Sequence, residues 1–355
     1  MVDAVLVTGA FGLVGSATVR HLAAEGRHVV ATDLDTPANR KSAMSLPAGI
    51  TVHWADLTDP AQADRLLAAV QPAALIHLAA IIPPMCYVQP VPARKVNVEA
   101  TENLVNSAGA QNNTPRFIQA SSIAVYGPRN PYRFDEVLTA DTPVNPHDIY
   151  GEHKADSEEI VRRSTLDWVI LRLGGVLSVN LNLDIDPNLI YFEGILPTDG
   201  RLQTVDVRDV AHAFAAATTA DVLGRTLLIG GDDSHRLVQG EIGPATVAAM
   251  GLVGALPRGR PGDPDDDAAW FATDWMDCAT AQELLGHQHR SWPQMLAETA
   301  ENVGWRRYPL RLVAPLAREY LKRQSPYYRQ PGRYAHPWEA VRHRWGPPES
   351  DRRIT

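Results

Sequence analysis

A chain of 355 residues is long for one compact core and fits a core domain with a smaller partner. Its 45% hydrophobic and 21% charged residues describe an ordinary globular composition, with no apolar run long enough to cross a bilayer. Two cysteines, Cys86 and Cys278, exclude a disulfide scaffold and a multi-cysteine metal site; they suit a reducing cytoplasm, and no metal is expected. Asp3 stands where a secretory leader would carry Lys or Arg, which supports the same expectation. The net charge of -8 is unevenly divided. From Trp305 to Thr355 there are 12 Lys/Arg and 4 Asp/Glu, a balance of +8, which leaves -16 on the rest. So acidic a body is a poor nucleic-acid binder, and no nucleic-acid partner is expected.

The stretch Val5-Leu6-Val7, bounded by Gly9, reads as a buried strand. "SATVRHLAAEG" has helical spacing, with Gly26 as its stop. "HVVATD" is a second strand. "TVHWADLTDPAQADRLLAAV" is a strand then a helix, with Asp59 as N-cap and Pro60 in the first turn. "AALIHLAA" reads as a strand, Ala93 to Gln111 as a long helix, and "RFIQASS" as a strand. "DIYGEHKADSEEIVRR" is a helix and "DWVILRL" a further strand. This alternation predicts an α/β fold, a Rossmann-type doubly wound parallel sheet with helices on both faces. It ends near Gly174. "SVNLNLDIDPNLIYFEGILPTDG" reads as loop-rich, "VDVRDVAHAFAAATT" begins a helix, and "GRTLLIGG" is a strand. "PRGRPGDPDDDAAW" reads as an exposed linker, and "ATAQELLG" and "SWPQMLAETAENV" as helices.

The first strand runs into "TGAFGLVG", in which Phe11 and Leu13 alternate with Gly9, Gly12 and Gly15. The first glycine permits a tight turn, the second lets backbone approach a pyrophosphate, and the third lets the helix pack closely on the sheet. Asp33, at the end of the second strand, can accept hydrogen bonds from the adenosine ribose hydroxyls. It would repel a 2′-phosphate, and no Arg or Lys follows it closely, so NAD is expected over NADP.

With further motifs in order, the chain resembles the extended short-chain dehydrogenases/reductases, the NAD-dependent epimerase/dehydratase family, over roughly residues 1 to 304. The carriers are "TGAFGLVG", "ADLTD", "HLAA", "NVEAT", "SSIAVYG", "YGEHK" and "VDVRDVA". The resemblance implies that Asp56 and Leu57 sit against the adenine. It places Leu78, Ala79, Ala80, Asn97 and Ser121 along the cofactor, and makes Ser122, Tyr150 and Lys154 a catalytic set. Ser122 is preferred over Ser121 because it lies four residues before Tyr126 of "VYG". Lys154 follows Tyr150 by four residues, so on a helix both project from one face, and the ammonium can favour phenolate.

Residues 1–174 are expected to bind NAD, 175–304 to form a substrate-binding region with segments returning to the core sheet, and 305–355 to form a basic aromatic extension. Ile81, Met85, Tyr87, Ser122, Gly174, Gly175 and Arg260 are the candidate substrate residues. Sugar-nucleotide members carry Asn where Gly175 stands, whereas "RPGD" at Arg260 resembles their pyrophosphate-binding stretch. The expected function is hydride transfer between a small secondary alcohol or ketone and nicotinamide. The alternatives are a sugar-nucleotide epimerase or dehydratase that recycles its NAD, and a non-catalytic NAD(H) sensor or scaffold. His77 reads equally as a core-edge or a catalytic residue, "GHQHRS" as a solvated loop, and "DPDDD" as solvated acid. The resemblance implies a homodimer paired through the helices at 93–111 and 148–163. The extension, with eight Trp and Tyr, is expected to dock on acidic protein surface rather than on a membrane.

Overall fold

The computed structural model describes residues 3–180 and 186–348. In chain order its first half runs β1 (Ala4–Thr8), α1 (Leu13–Ala24), β2 (His28–Asp33), α2 (Pro37–Ala43), β3 (Thr51–Trp54), α3 (Pro60–Val70) and β4 (Ala74–His77). Then come α4 (Met85–Val88), α5 (Pro90–Arg94), α6 (Ala100–Gly109), β5 (Arg116–Ser122), α7 (Ile149–Arg163) and β6 (Trp168–Leu173). The second half holds β7 (Gly175–Leu177), α8 (Pro187–Ile195), β8 (Arg201–Asp206), α9 (Val207–Ala217), β9 (Arg225–Ile229), β10 (Arg236–Val238) and α10 (Gln239–Ala249). It closes with α11 (Ala279–Leu285), α12 (Trp292–Val303), α13 (Arg307–Gln324) and α14 (Pro337–Trp345).

Seven parallel strands form one sheet in the order β3-β2-β1-β4-β5-β6-β9. The order reverses between β1 and β4, which opens the crevice where open α/β sheets bind ligands. Alternate strand residues feed two cores. Val5, Val7, Ile76, Ile118 and Val169 pack with Leu22 and Phe214 on one face. Leu6, Leu75, Phe117 and Ile170 pack with Leu67, Leu104 and Val161 on the other. The predicted Asp59 cap is present, accepting from Ala61 N at 2.9 Å. A smaller sheet, β10-β8-β7, stands beyond the C-terminal edge of β6.

Several expectations are corrected. The helix placed at 93–111 begins at Pro90 and passes through a π-helical turn at Lys95–Glu99 before ending at Gly109. The stretch read as loop-rich contains α8, although its residues 181–185 lie outside the described residues. Strands β8 and β10 and helix α10 were not foreseen; Pro244 inside α10 masks the helical signal. "PRGRPGDPDDDAAW" is exposed at Arg258, Pro261 and residues 265–268, but its end enters the core: Trp270 is fully buried, its indole donating to Asp263 O. "GHQHRS" is not a solvated loop. Its buried His287 bonds Gly230 O, and Arg290 pairs with Asp209 at 2.6 Å.

Helix α7 is held by charge. Glu158 and Arg172 are both buried and meet through two bonds, Nε to Oε1 at 2.8 Å and the terminal Nη2 to Oε2 at 2.7 Å. Ser121 Oγ and Arg162 also donate to Glu158, and Arg172 donates to Tyr126 Oη at 2.6 Å. Breaking one side of such a buried pair typically costs about 3–5 kcal/mol. We expect Glu158→Gln to lower unfolding free energy in urea by that order, with Glu158→Gln/Arg172→Met costing less than the sum of the single changes. Simple additivity would show that the pair is not the anchor.

Candidate active site

The glycine turn is shaped by backbone proximity. Gly9 has φ of 60°, and a Cβ there would lie 2.7 Å from Ala79 N. A Cβ on Gly15 would lie 2.0 Å from Gly9 O, so α1 can approach the turn only with glycine at that position. Gly12 differs: a Cβ would meet nothing nearer than Gly9 O at 3.4 Å, so its outer side is open. Gly12 is also the N-cap of α1 and supplies no capping side chain. The first-turn amides therefore point outward uncapped, beside half-exposed Leu13, which is an anion cradle. Asp33 Oδ2 accepts from Phe11 N at 3.1 Å and Oδ1 from Leu34 N at 2.8 Å, so two amides orient the carboxylate at the crevice rim. Arg40, the first cation downstream, is paired with Asp35. These residues fit a dinucleotide with an unphosphorylated ribose.

Around that crevice, Asp56 is turned by Thr58, whose amide and hydroxyl both donate to Oδ1, and Leu57 is buried. Leu78 and Ala79 amides donate to Thr8 Oγ1 at 3.1 and 3.2 Å, which sets the path of Leu78–Ala80. Thr8 Oγ1 then has its proton for His77 Nδ1 at 2.8 Å. Thr101 Oγ1 gives its own proton to Asn97 O and so accepts from His77 Nε2 at 3.1 Å. His77 is a neutral structural bridge, its pKa pushed down to about 3 by burial and then by the Lys154 charge. The side chains of Asn97 and Ser121 also have partners within the chain. Asn97 is buried and gives both ends of its amide to Ile81, accepting from the N–H at 2.7 Å and donating to the carbonyl at 2.9 Å. It clamps the loop after β4. Ser121 alternates to the far side of β5 and bonds Glu158.

Ser122, Tyr150 and Lys154 come together. Ser122, the last residue of β5, caps Ala124 N at 3.2 Å and acts to lower the pKa of the Tyr150 hydroxyl. Lys154 is buried one turn along α7, with Nζ donating to Ala120 O at 2.9 Å and lying 5.8 Å from the Tyr150 ring centroid. Burial pushes Lys154 down to about 8, while Glu158 on the next turn supports its charge. The expected lowering of the tyrosine is not seen in the protein alone. Burial is the largest effect on Tyr150 and raises its pKa, Cys86 adds to it, and the Ser122 hydrogen bond only partly opposes it.

On the substrate side, the candidate residues differ in what they touch. Tyr87 is buried and donates to Asp148 Oδ2 at 2.5 Å; it supports the site from behind. Asp148 caps α7 through Tyr150 N and Gly151 N, and burial raises it to about 6. Gly174 and Gly175 are packing positions: a Cβ on Gly174 would lie 2.4 Å from Gln203 O, and one on Gly175 3.0 Å from the Leu202 side chain. Arg260 is taken by the extension. Its guanidinium donates to Gln330 O at 2.6 Å and Pro331 O at 3.3 Å, and lies 4.3 Å over the Tyr327 ring. Ile81 and Met85 are half-buried, and Ile81, Tyr150 and Phe271 pack against the buried cluster that includes Cys86, Phe192 and Trp338.

Trp338 and Trp345 belong to the extension, which docks here on its own chain. Trp345 stacks on Tyr87 at 6.2 Å, Trp338 stacks on Phe271 at 5.2 Å, and Pro348 O accepts from Ile149 N at 2.7 Å. Sequence reasoning missed Asp148, Glu158 and Arg172. Signals were present: an Asp directly before the helix, and a charge inside the apolar strand "DWVILRL" that needs a buried partner.

The fold defines a Rossmann-type oxidoreductase. A family model, the NAD dependent epimerase/dehydratase family, matches residues 5–230. The chain belongs to that family, and its cofactor is NAD. It is 30% identical over 272 residues to a dTDP-glucose 4,6-dehydratase of Neisseria meningitidis serogroup B, covering 66% of this chain and 73% of that one. A D-erythronate dehydrogenase of Cupriavidus necator is 29% identical over 184 residues, 48% of this chain and 54% of its own. The solved UDP-glucose 4-epimerase of Thermus thermophilus, in complex with NAD, superposes with a TM-score of 0.68 at 23% identity, covering 84% of this chain and 98% of that one. Among the described residues no helix is long and apolar enough to cross a membrane.

Two outcomes follow from this geometry. Fluorescence titration should show NADH binding more tightly than NADPH, with Asp33→Ala narrowing the gap; tighter NADPH binding by the parent would refute the role of Asp33. Lys154 titrates near 8 when folded against 10.5 unfolded. The penalty for burying its charge is thus absent above the unfolded pKa, grows as pH falls from that value to the folded one, and is complete below it. Urea unfolding at pH 7 and pH 10 should show a rise in parent stability over that window that Lys154→Met lacks. Identical pH profiles would show that Lys154 is not desolvated.

Proposed function

We propose that the chain interconverts a small secondary alcohol and its ketone with NAD, and that Ser122, Tyr150 and Lys154 carry the chemistry. The observation that carries this reading is the buried Lys154 ammonium, one helical turn from Tyr150 and 5.8 Å from its ring centroid, beside the strand end that holds Ser122. Bound NAD supplies the hydride acceptor and, when oxidised, a positive charge. Ser122 Oγ orients the reacting oxygen. Tyr150 Oη takes the hydroxyl proton as the carbinol carbon loses hydride, and returns it in the reverse direction. Lys154 stabilises the phenolate, and its protons not bonded to Ala120 O are free for the cofactor ribose, as the family resemblance implies.

A second reading, a sugar-nucleotide epimerase or dehydratase that returns the hydride internally, draws on the activity named for the Neisseria relative. Three features of this chain favour a non-nucleotide substrate. Arg260 is occupied by the extension, Gly175 has no side chain to offer a sugar, and the wall beside Tyr150 is built of Phe192, Phe271 and Trp338. Accumulation of NADH with a released ketone supports the first reading; epimer or dehydrated product without net NADH supports the second. We extend the proposal to a homodimer packed through α5–α6 and α7, since Val88 and Val91 leave apolar surface at the start of that helical run.

Tyr150→Phe should abolish turnover on a verified substrate while leaving NAD binding intact. Ser122→Ala should lower kcat on the order of a hundredfold or more. Lys154→Ala should damage both turnover and cofactor binding. Near-parental turnover by Tyr150→Phe, read as NADH absorbance, would refute this assignment.

A further inference from the structure

The extension has two physically different halves. Residues 327–348 dock beside the site, as Tyr327, Trp338 and Trp345 show. Helix α13, unbroken by Pro315, leaves its most apolar face in solvent. The side that meets the body is Leu310, Ala314, Ala317 and Leu321, with Ala314 4% exposed. The opposite side carries Trp305, Tyr308, Leu312, Leu316 and Tyr320, exposed by 74%, 56%, 82%, 73% and 63%. Their spacing of three and four residues makes one continuous stripe. Arg311, Arg318 and Lys322 are exposed along its flank, and Glu319 is the one acid between Trp305 and Gln324. Beside the helix opens a cleft of about 510 Å³ whose lining includes Arg258, Arg318, Lys322, Arg329, Tyr327 and Tyr328.

We propose that α13 and this cleft form a docking surface for an anionic lipid bilayer. The stripe enters the boundary between headgroups and acyl chains, and the flanking cations and the cleft take lipid phosphates. A helix with a strongly apolar stripe and a cationic flank, too charged to span a bilayer, lies in the plane of its interface. Trp305, Tyr308 and Tyr320 add rings with an apolar body and a polar tip, the kind that settle at headgroup depth. The stripe stands opposite the face that meets the body and not in a groove, a shape suited to a flat surface. The acidic remainder, at -16, is repelled by the same lipids, so the protein is held by this one edge. This contact is independent of the proposed reaction.

The test is co-sedimentation of the full chain, loaded with NAD, with vesicles of phosphatidylcholine alone or an equimolar mixture with phosphatidylglycerol. Binding should appear with the anionic vesicles and weaken with salt. Leu312→Glu/Leu316→Glu should abolish it, and Arg318→Gln/Lys322→Gln should weaken it by roughly fivefold per cation removed. Both variants should bind NAD like the parent, which controls for folding. No binding to anionic vesicles at low salt would overturn the proposal, as would undiminished binding by the leucine variant. Sedimentation without lipid provides a further arm. A parent dimer that the leucine variant splits would assign the stripe to a second copy of the chain and overturn the lipid assignment.

Discussion

The buried pairing of Arg172 with Glu158 is the constraint on which the site depends. An arginine inside a central parallel strand is tolerable only with its charge met and its donors used. Glu158 meets it with both oxygens, and Tyr126 takes a further donor. Since Arg172 is on β6 and Glu158 on α7, the pair fixes the helix against the sheet. Ser121 joins the same carboxylate from β5. Strand alternation then turns the next side chain, Ser122, away from that carboxylate. The division of labour between two adjacent serines is thus set by which one the ion pair consumes.

The N-terminal end of α7 is held in another way. Asp148 receives Tyr150 N, Gly151 N and the Tyr87 hydroxyl, while Pro348 O receives Ile149 N. The last of these comes from the C-terminal extension, far from α7 in sequence. Trp345 covers Tyr87, and Trp338 covers Phe271. Tyr150 therefore sits on a helix whose start is partly completed by the extension. The same segment occupies Arg260, so the residue most suggestive of a nucleotide pyrophosphate is engaged by backbone carbonyls of the chain itself.

Much of this was legible from the sequence because the Rossmann half is locally determined. Continuous apolar runs in "VLV" and "DWVILRL", glycines demanded by close backbone approach, and the Asp59 cap depend on short-range rules. The second half was less legible for identifiable reasons. Strand β8 follows a turn and is only partly buried along its length, and α10 contains Pro244. Trp270 hides behind a Pro/Gly/Asp run whose composition suggests solvent. In the site, Asn97 and Ser121 were assigned by motif position, yet their partners Ile81 and Glu158 are set by tertiary packing. Glu158 lies beside Glu159, and nothing local says which faces inward. The extension's aromatic content signalled docking, while the charge contrast between +8 and -16 suggested that its whole length would be drawn in. The helix α13 shows the limit of that argument, since a sum over a segment says nothing about which face of a helix bears the charge.

Burial acts on Tyr150 and Lys154 in opposite directions, raising the one and lowering the other to about 8. Both movements favour the neutral form, as desolvation must. The protein alone therefore holds a proton firmly on the phenol and keeps the ammonium close to its titration point. Glu158 is what keeps that ammonium charged, because its carboxylate lies one turn further along the same helix and is itself stabilised by Arg172. A phenol held this way gives up its proton only when further positive charge comes near it, so the same desolvation that makes the resting site inert ties proton release to the presence of a cationic partner. The ion pair that anchors the helix thus also supports the charge of Lys154, through the Glu158 carboxylate that Arg172 stabilises.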